Sequence, residues 1–300
     1  MITKKTTLIL GAGASSHLGY PLGSGLLNNL CSIRTKQRYP QLPDLWSKED
    51  VDELLMSLSR SGHYSIDAFL EFSDNRDLGK YLIARQLKEH ENIDRLFPPN
   101  VSGWYQTLFS SLISDRGPNI ERNNVSIITF NYDRSLEAYL DNVLQNRFNL
   151  SPEESWGHVS GIPIVHVHGM LGEYPVTKYE DSSDIDVLLD ISKQIKIIHE
   201  IEDNESGFCN SEFEKANSLL GESERIVFLG FGFHEDNVRR FNFFSPETLS
   251  TREVFATSSG ITGYEYNQTL DRLESYGLKE ALGPHHGQPC DGIFRYNLTL

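Results

Sequence analysis

The stretch "LILGAGASSHLGYPLG", Leu8 to Gly23, decides how the rest of the chain is read. Leu8 to Leu10 close a short apolar run that begins at Thr6 and ends at glycine, which predicts a buried strand running into a tight turn. Gly11, Ala12, Gly13 and the Ser15-Ser16 pair then precede a helical stretch, where a phosphate can meet backbone N–H groups. The full dinucleotide fingerprint is absent, because Ser16 stands where its third glycine would be. A strand-to-helix turn that holds no ligand remains the plain alternative. A signal peptide fits poorly: Lys4 and Lys5 precede only "LILGAGA", two glycines dilute that run, and polar "SSH" follows at once.

Downstream, the hydrophobic period is helical. "SKEDVDELLMSLSR" offers a cap at Ser47, an acid three residues on at Asp50, and Val51, Leu54, Leu55 and Leu58 on one face. "SIDAFLEF", "DLGKYLIARQLKEH" and "GWYQTLFSSLI" continue in the same way, so an all-helical insertion is expected from roughly Leu26 to Asn123. The pattern then changes. "NVSIITFNYD", "IPIVHVHG", "ERIVFLGFG" and "REVFATSSG" each read as a strand running into polar or glycine residues. Helical segments "DRSLEAYLDNVLQ", "DVLLDISKQIKIIHEI" and "CNSEFEKANSLLGE" lie between them. The expected fold class is therefore α/β: a Rossmann-like, mostly parallel sheet with helices on both faces and ligands at the carboxyl ends of the strands.

Composition narrows the function. A formal charge of −15 disfavours a general nucleic-acid surface, because phosphate backbones are held mainly by Lys and Arg clusters. Arg239 and Arg240 form a local basic pair beside acidic and apolar neighbours, suited to an internal salt bridge or a partner surface. The three cysteines, Cys31, Cys209 and Cys290, make no disulfide framework. No apolar run approaches the roughly 20 residues that span a bilayer, so the expected location is cytoplasmic.

Two motifs carry candidate chemistry. In "TFNYD", Asn131 and Asp133 sit where a buried strand surfaces; Asn131 can position a water or a sugar hydroxyl. Equally, Asn131 can begin a turn and Asp133 can cap the helix that follows. "VHVHG" places His166 and His168 two apart on a strand, so their side chains are expected to share one face. Paired histidines invite a zinc reading, yet no third ligand stands at a convincing spacing, and no metal is expected. The other reading is one functional imidazole, His168, with His166 packed behind it.

Taken in order, "GAGAS" (Gly11–Ser15), "TFNYD" (Thr129–Asp133), "HVHG" (His166–Gly169) and "LGFGFHEDN" (Leu229–Asn237) resemble the sirtuin superfamily, specifically the sirtuin-like NADases of bacterial anti-phage defence. The resemblance rests on few residues, but they span Gly11 to Asn237 in the family order. It implies an NAD+ hydrolase that releases nicotinamide and ADP-ribose and depletes NAD+ in abortive infection. It assigns Gly11, Ala12, Gly13 and Ser15 to the NAD phosphates, and Asn131, Asp133 and His168, the last as base, to the reacting end. Gly230 and Gly232 fall near the ribose or phosphates, with Thr257 and Ser258 near the adenosine as a weaker match. It also implies a homo-oligomer and a separately encoded ATPase or nuclease partner.

Two departures matter. Three scattered cysteines cannot build the zinc module of deacylating sirtuins, and Phe130 and Tyr132 replace the Gln and aliphatic residue of the deacylase pattern. An NAD or ADP-ribose sensing module, ADP-ribosyl transfer and residual deacylation remain the alternatives.

Overall fold

The computed structural model describes residues 1–37, 39–98, 103–113, 117–180, 184–197, 211–233 and 252–257, and isolated positions at 237, 259, 267–269, 271, 274 and 290–293. Its centre is a five-stranded sheet of β1 (Thr6–Leu10), β2 (Val125–Thr129), β3 (Ile164–His166), β4 (Arg225–Leu229) and β5 (Glu253–Ala256). Every pairing is parallel, in the order β3-β2-β1-β4-β5. The fold is thus α/β and Rossmann-like. After β1 the chain builds outward through β2 and β3, then crosses to the other side of β1 for β4 and β5. The reversal puts the topological switch point between β1 and β4, where open α/β sheets hold ligands beyond the strands' carboxyl ends.

Side chains alternate across the sheet with the period of two that a strand imposes. Leu8, Leu10, Ile127, Val227 and Leu229 face one buried cluster, and Ile9, Ile128, Ile226 and Phe228 face another. The helix Ser211–Glu222 covers the second face with Phe213, Ala216 and Leu220. Between β1 and β2 run α1 (Gly23–Lys36), α2 (Lys48–Arg60), α3 (Ile66–Leu70), α4 (Arg76–Lys88), α5 (Ile93–Leu96) and α6 (Trp104–Leu112). Their buried residues, among them Leu30, Leu54, Tyr81 and Leu108, belong to the same cluster as Leu8 and Leu10. In α2 the Ser47–Asp50 capping box closes as the spacing predicts: Ser47 Oγ accepts the Asp50 amide at 3.2 Å and Asp50 Oδ2 accepts the Ser47 amide at 2.7 Å. Both satisfy donors that a helix start leaves unpaired.

After β2 come α7 (Ser135–Phe148) and α8 (Pro152–Val159), and after β3 comes α9 (Ile185–Ser192). Helix α8 is an addition to the sequence reading, although its signal was present. Ser151 and Glu154 form a second capping box, with Pro152 at the first helical position. Helix α9 is shorter than "DVLLDISKQIKIIHEI" suggested. Beyond it Ile195 and Ile197 are both buried and the Lys196 amide donates to the His168 carbonyl at 2.9 Å, so "IKI" has the alternation of extended chain. Among the described residues no helix is long and apolar enough to cross a membrane.

Candidate functional site

All five strand ends meet at the sheet's carboxyl edge. The Gly11 amide donates to the Leu229 carbonyl and the Gly13 amide to the Gly230 carbonyl, each at 3.0 Å. Backbone lies on backbone here. A Cβ on Gly11 would fall 2.6 Å from Gly230 O, and one on Gly13 would fall 2.8 Å from Gly230 Cα. Gly230 has φ +58°, and its own Cβ would lie 2.1 Å from the Ala14 amide nitrogen. From β5, Thr257 Oγ1 accepts the Gly230 amide at 2.7 Å and so props this loop. At Gly232, by contrast, nothing among the described residues lies within 4 Å of a Cβ.

The loop after β1 is not the start of an α-helix. It makes two short 3-10 turns, Ala12–Ala14 and Ser16–Leu18, and α1 begins only at Gly23. The Ala14 amide donates to Gly11 O and the Ser15 amide to Ala12 O, so together with Gly11 and Gly13 four amides of the turn are satisfied by protein carbonyls. The expected helix start is therefore absent from this turn, two of whose amides bond within it and two to the β4 exit.

Asn131, Ser15 and Asp133 do come together. Asn131 Nδ2 donates to Gly11 O at 3.0 Å and to Ser15 Oγ at 3.2 Å, tying the β2 exit to the β1 exit. Its Oδ1 is left to accept. Asp133 Oδ1 accepts from the Ser135 hydroxyl and, at 3.2 Å, from the Ser135 amide; the N-cap of α7 is Arg134, so Asp133 braces the turn into the helix from one residue before the cap and does not cap it as the alternative expected. Burial raises the Asp133 pKa above the ordinary carboxyl value; hydrogen bonds from Ser135 and Ser15 only partly offset this. A cavity of about 10 Å³, room for roughly one water, is lined by Ser15, Tyr105, Asn131 and Asp133. Tyr132, between the two, donates from its hydroxyl to Asp67 Oδ1 of α3 at 2.7 Å, binding the insertion to the site.

The two histidines part company, contrary to the shared face expected for them. The strand ends at His166, and the chain turns before His168. His166 points toward α7: its Nδ1 is 3.0 Å from the Asn131 carbonyl and its Nε2 is 2.7 Å from Glu137 Oε1. Both partners accept, so the ring donates twice, as an imidazolium. Burial alone lowers its pKa, but the Glu137 charge and the hydrogen bonds from both sides outweigh this and raise it. With both nitrogens engaged, His166 has no lone pair to offer a metal. His168 lies against the opposite cluster, its ring 5.4 Å from Phe130 and 6.1 Å from Phe213. It is only 8% exposed, more enclosed than a position at an open strand end would be. Phe130 also meets Phe231, at 5.0 Å, so one aromatic group joins the exits of β2, β3 and β4.

The sequence reading missed the charges beneath the site. Arg134, fully buried beside Asp133, donates from Nη2 to both Glu91 oxygens, at 2.8 and 2.6 Å, and from Nη1 to the carbonyls of Gly172 and Thr177. Lys88 also donates to Glu91, and to the Lys178 carbonyl at 2.7 Å. One carboxylate thus serves two buried cations, and the chain at 172–178 supplies the remaining acceptors. No periodicity or motif marks such a network; the single clue was an Arg directly after the strand-end Asp. Tyr20 and Tyr179, 3.0 Å apart through their hydroxyls, lie close enough for Asp133 to help raise their pKa, although burial is the larger cause for each.

Ser258, the "HED" of "LGFGFHEDN", Arg239, Arg240 and Cys209 lie outside the described residues. Cys31 is a free thiol. Among the described residues no group of three or more His, Cys, Asp or Glu side chains is placed to hold a metal ion. Comparison with protein-family models and with curated proteins finds no match.

Proposed function

We propose that this chain is an NAD+ glycohydrolase, cleaving the bond between nicotinamide and ribose. The observation that carries the reading is the meeting of Asn131, Ser15 and the buried Asp133 around a water-sized cavity between the β1 and β2 exits, on the carboxyl side of a parallel sheet. The order of motifs shared with sirtuin-like NADases supplies the substrate.

The reaction passes through an oxocarbenium-like state, so the site must hold a sugar, stabilise positive charge and present water. Asp133 as a carboxylate in a dry setting favours that charge, and its low exposure strengthens the attraction. Asn131, held by Gly11 and Ser15 through its amide, directs Oδ1 at a water or ribose hydroxyl. His168 takes the proton, a role that rests on the family resemblance. Depletion of NAD+ in anti-phage defence, a homo-oligomer and a separate ATPase or nuclease partner belong to the same proposal and rest on the resemblance alone.

A sensor that binds NAD or ADP-ribose without cleaving it is the second reading. It is favoured by the satisfied amides of the Gly11–Ser15 turn and by the aromatic packing of His168. A fluorogenic NAD+ analogue separates the two. An enzyme gives a rising signal that Asn131→Ala and His168→Ala each lower by about a hundredfold or more while both variants keep the wild-type circular dichroism spectrum. A sensor binds the analogue with no signal change from any of the three proteins.

A further inference from the structure

A roomy cavity lies away from the sheet edge, within the helical insertion. It measures about 540 Å³, within the roughly 300–1,000 Å³ range of small-molecule sites, and opens between α1, α4 and α5. Its walls differ in character. Lys36, Arg85 and Arg95 supply three cations against the single carboxylate of Glu89, in a chain whose net charge is −15. Leu82, Tyr39 and its neighbour Pro40 supply an apolar wall.

The polar side chains are held in place. Arg95 Nη1 donates to His90 Nδ1 at 3.1 Å; because an arginine can only donate, the His90 proton is on Nε2. Burial, then the Arg95 charge, lower the His90 pKa, so the ring stays neutral and does not compete for an anion. Arg85 is kept along α4 by Glu89 at 3.3 Å. Tyr39 donates to Asp52 at 2.5 Å, which fixes its ring at the mouth. An excess of positive charge facing an apolar wall, in a strongly acidic protein, calls for an anion with an apolar or aromatic body.

We propose that this cavity is a second binding site, distinct from the sheet edge, for a small phosphorylated ligand of the nucleotide class. The phosphate meets Lys36 and Arg95, and the base lies against Tyr39 and Leu82. The site stands one aromatic layer from the candidate site, because the His90 ring lies 5.4 Å from Tyr20, whose hydroxyl meets Tyr179. The proposal does not depend on NAD+ cleavage.

Calorimetric titration of the full chain with AMP tests it, with inorganic phosphate as a second probe. The expected result is saturable AMP binding that weakens about tenfold or more in Lys36→Glu/Arg95→Glu, persists in Asn131→Ala, and exceeds that of inorganic phosphate. Lys36→Glu alone, at the exposed end of α1, gives a smaller loss in the same direction and guards against a double variant that fails to fold. Any of three results overturns the proposal: no AMP binding tighter than about 1 mM, AMP binding lost in Asn131→Ala but kept in the Lys36 and Arg95 variants, or phosphate binding as well as AMP.

Discussion

Gly13 and Gly230 are joined by a hydrogen bond of 3.0 Å from amide to carbonyl, and neither position has room for a side chain. The two loops that flank the switch point are thereby a single packed unit. Glycine is needed at both positions because backbone meets backbone, and at Gly230 also because φ is positive. A ligand in the crevice would rest on this unit rather than between its halves.

Gly230→Ala should therefore destabilise the protein by about 2 kcal/mol or more, from the left-handed backbone and the clash at Ala14. Gly232→Ala should stay within about 0.5 kcal/mol, since its Cβ meets no atom of the described residues within 4 Å. Urea unfolding of both variants checks the contrast. Equal stability losses would mean that the loop packing is misread.

The fold was legible because its signals are local. Leu8 to Leu10 form an apolar run, Ser47 and Asp50 form a box, and Val51, Leu54, Leu55 and Leu58 repeat at helical spacing; each specifies its element without help from distant chain. What escaped depends on contacts across the fold. Nothing near Arg134 announces Glu91, 43 positions away, and nothing in "VHVHG" tells that the strand stops after its first histidine. Asn131 and Asp133 were found because a strand ending in polar residues marks the carboxyl edge. Their partnership with Ser15 required the β1–β2 pairing that no spacing encodes.

Glu91→Gln removes the carboxylate that Lys88 and Arg134 both hydrogen-bond. Removing one partner from a buried ionic network costs about 3–5 kcal/mol, so this variant should unfold at much lower urea than the wild type. A loss below about 1 kcal/mol would show that water reaches the network.

His166 gives a pH signature. Its folded pKa is raised above 6.5, so the folded state binds more protons than the unfolded state between those two values. The stabilisation from the Glu137 pair is complete below about pH 6.5 and is lost as pH rises through the raised value. Glu137→Gln should flatten that decline in a series of unfolding curves. An unchanged slope would place the pH dependence elsewhere.

Asp133 predicts the acid limb of catalysis. Its pKa lies above 3.8, and the proposed cleavage would use the carboxylate, so turnover should fall as pH drops through that raised value. Asp133→Asn should remove this limb and lower turnover about a hundredfold. A rate profile whose acid limb survives in Asp133→Asn would assign the titration to another group.

The most direct test of the NADase reading is chromatographic quantification of nicotinamide and ADP-ribose after the purified chain is incubated with NAD+, with oligomeric state measured on the same sample. The account predicts equimolar release of the two products by the wild type and a loss of about a hundredfold in Asn131→Ala. Folded wild-type protein that binds NAD+ yet releases no nicotinamide in any oligomeric state would contradict it.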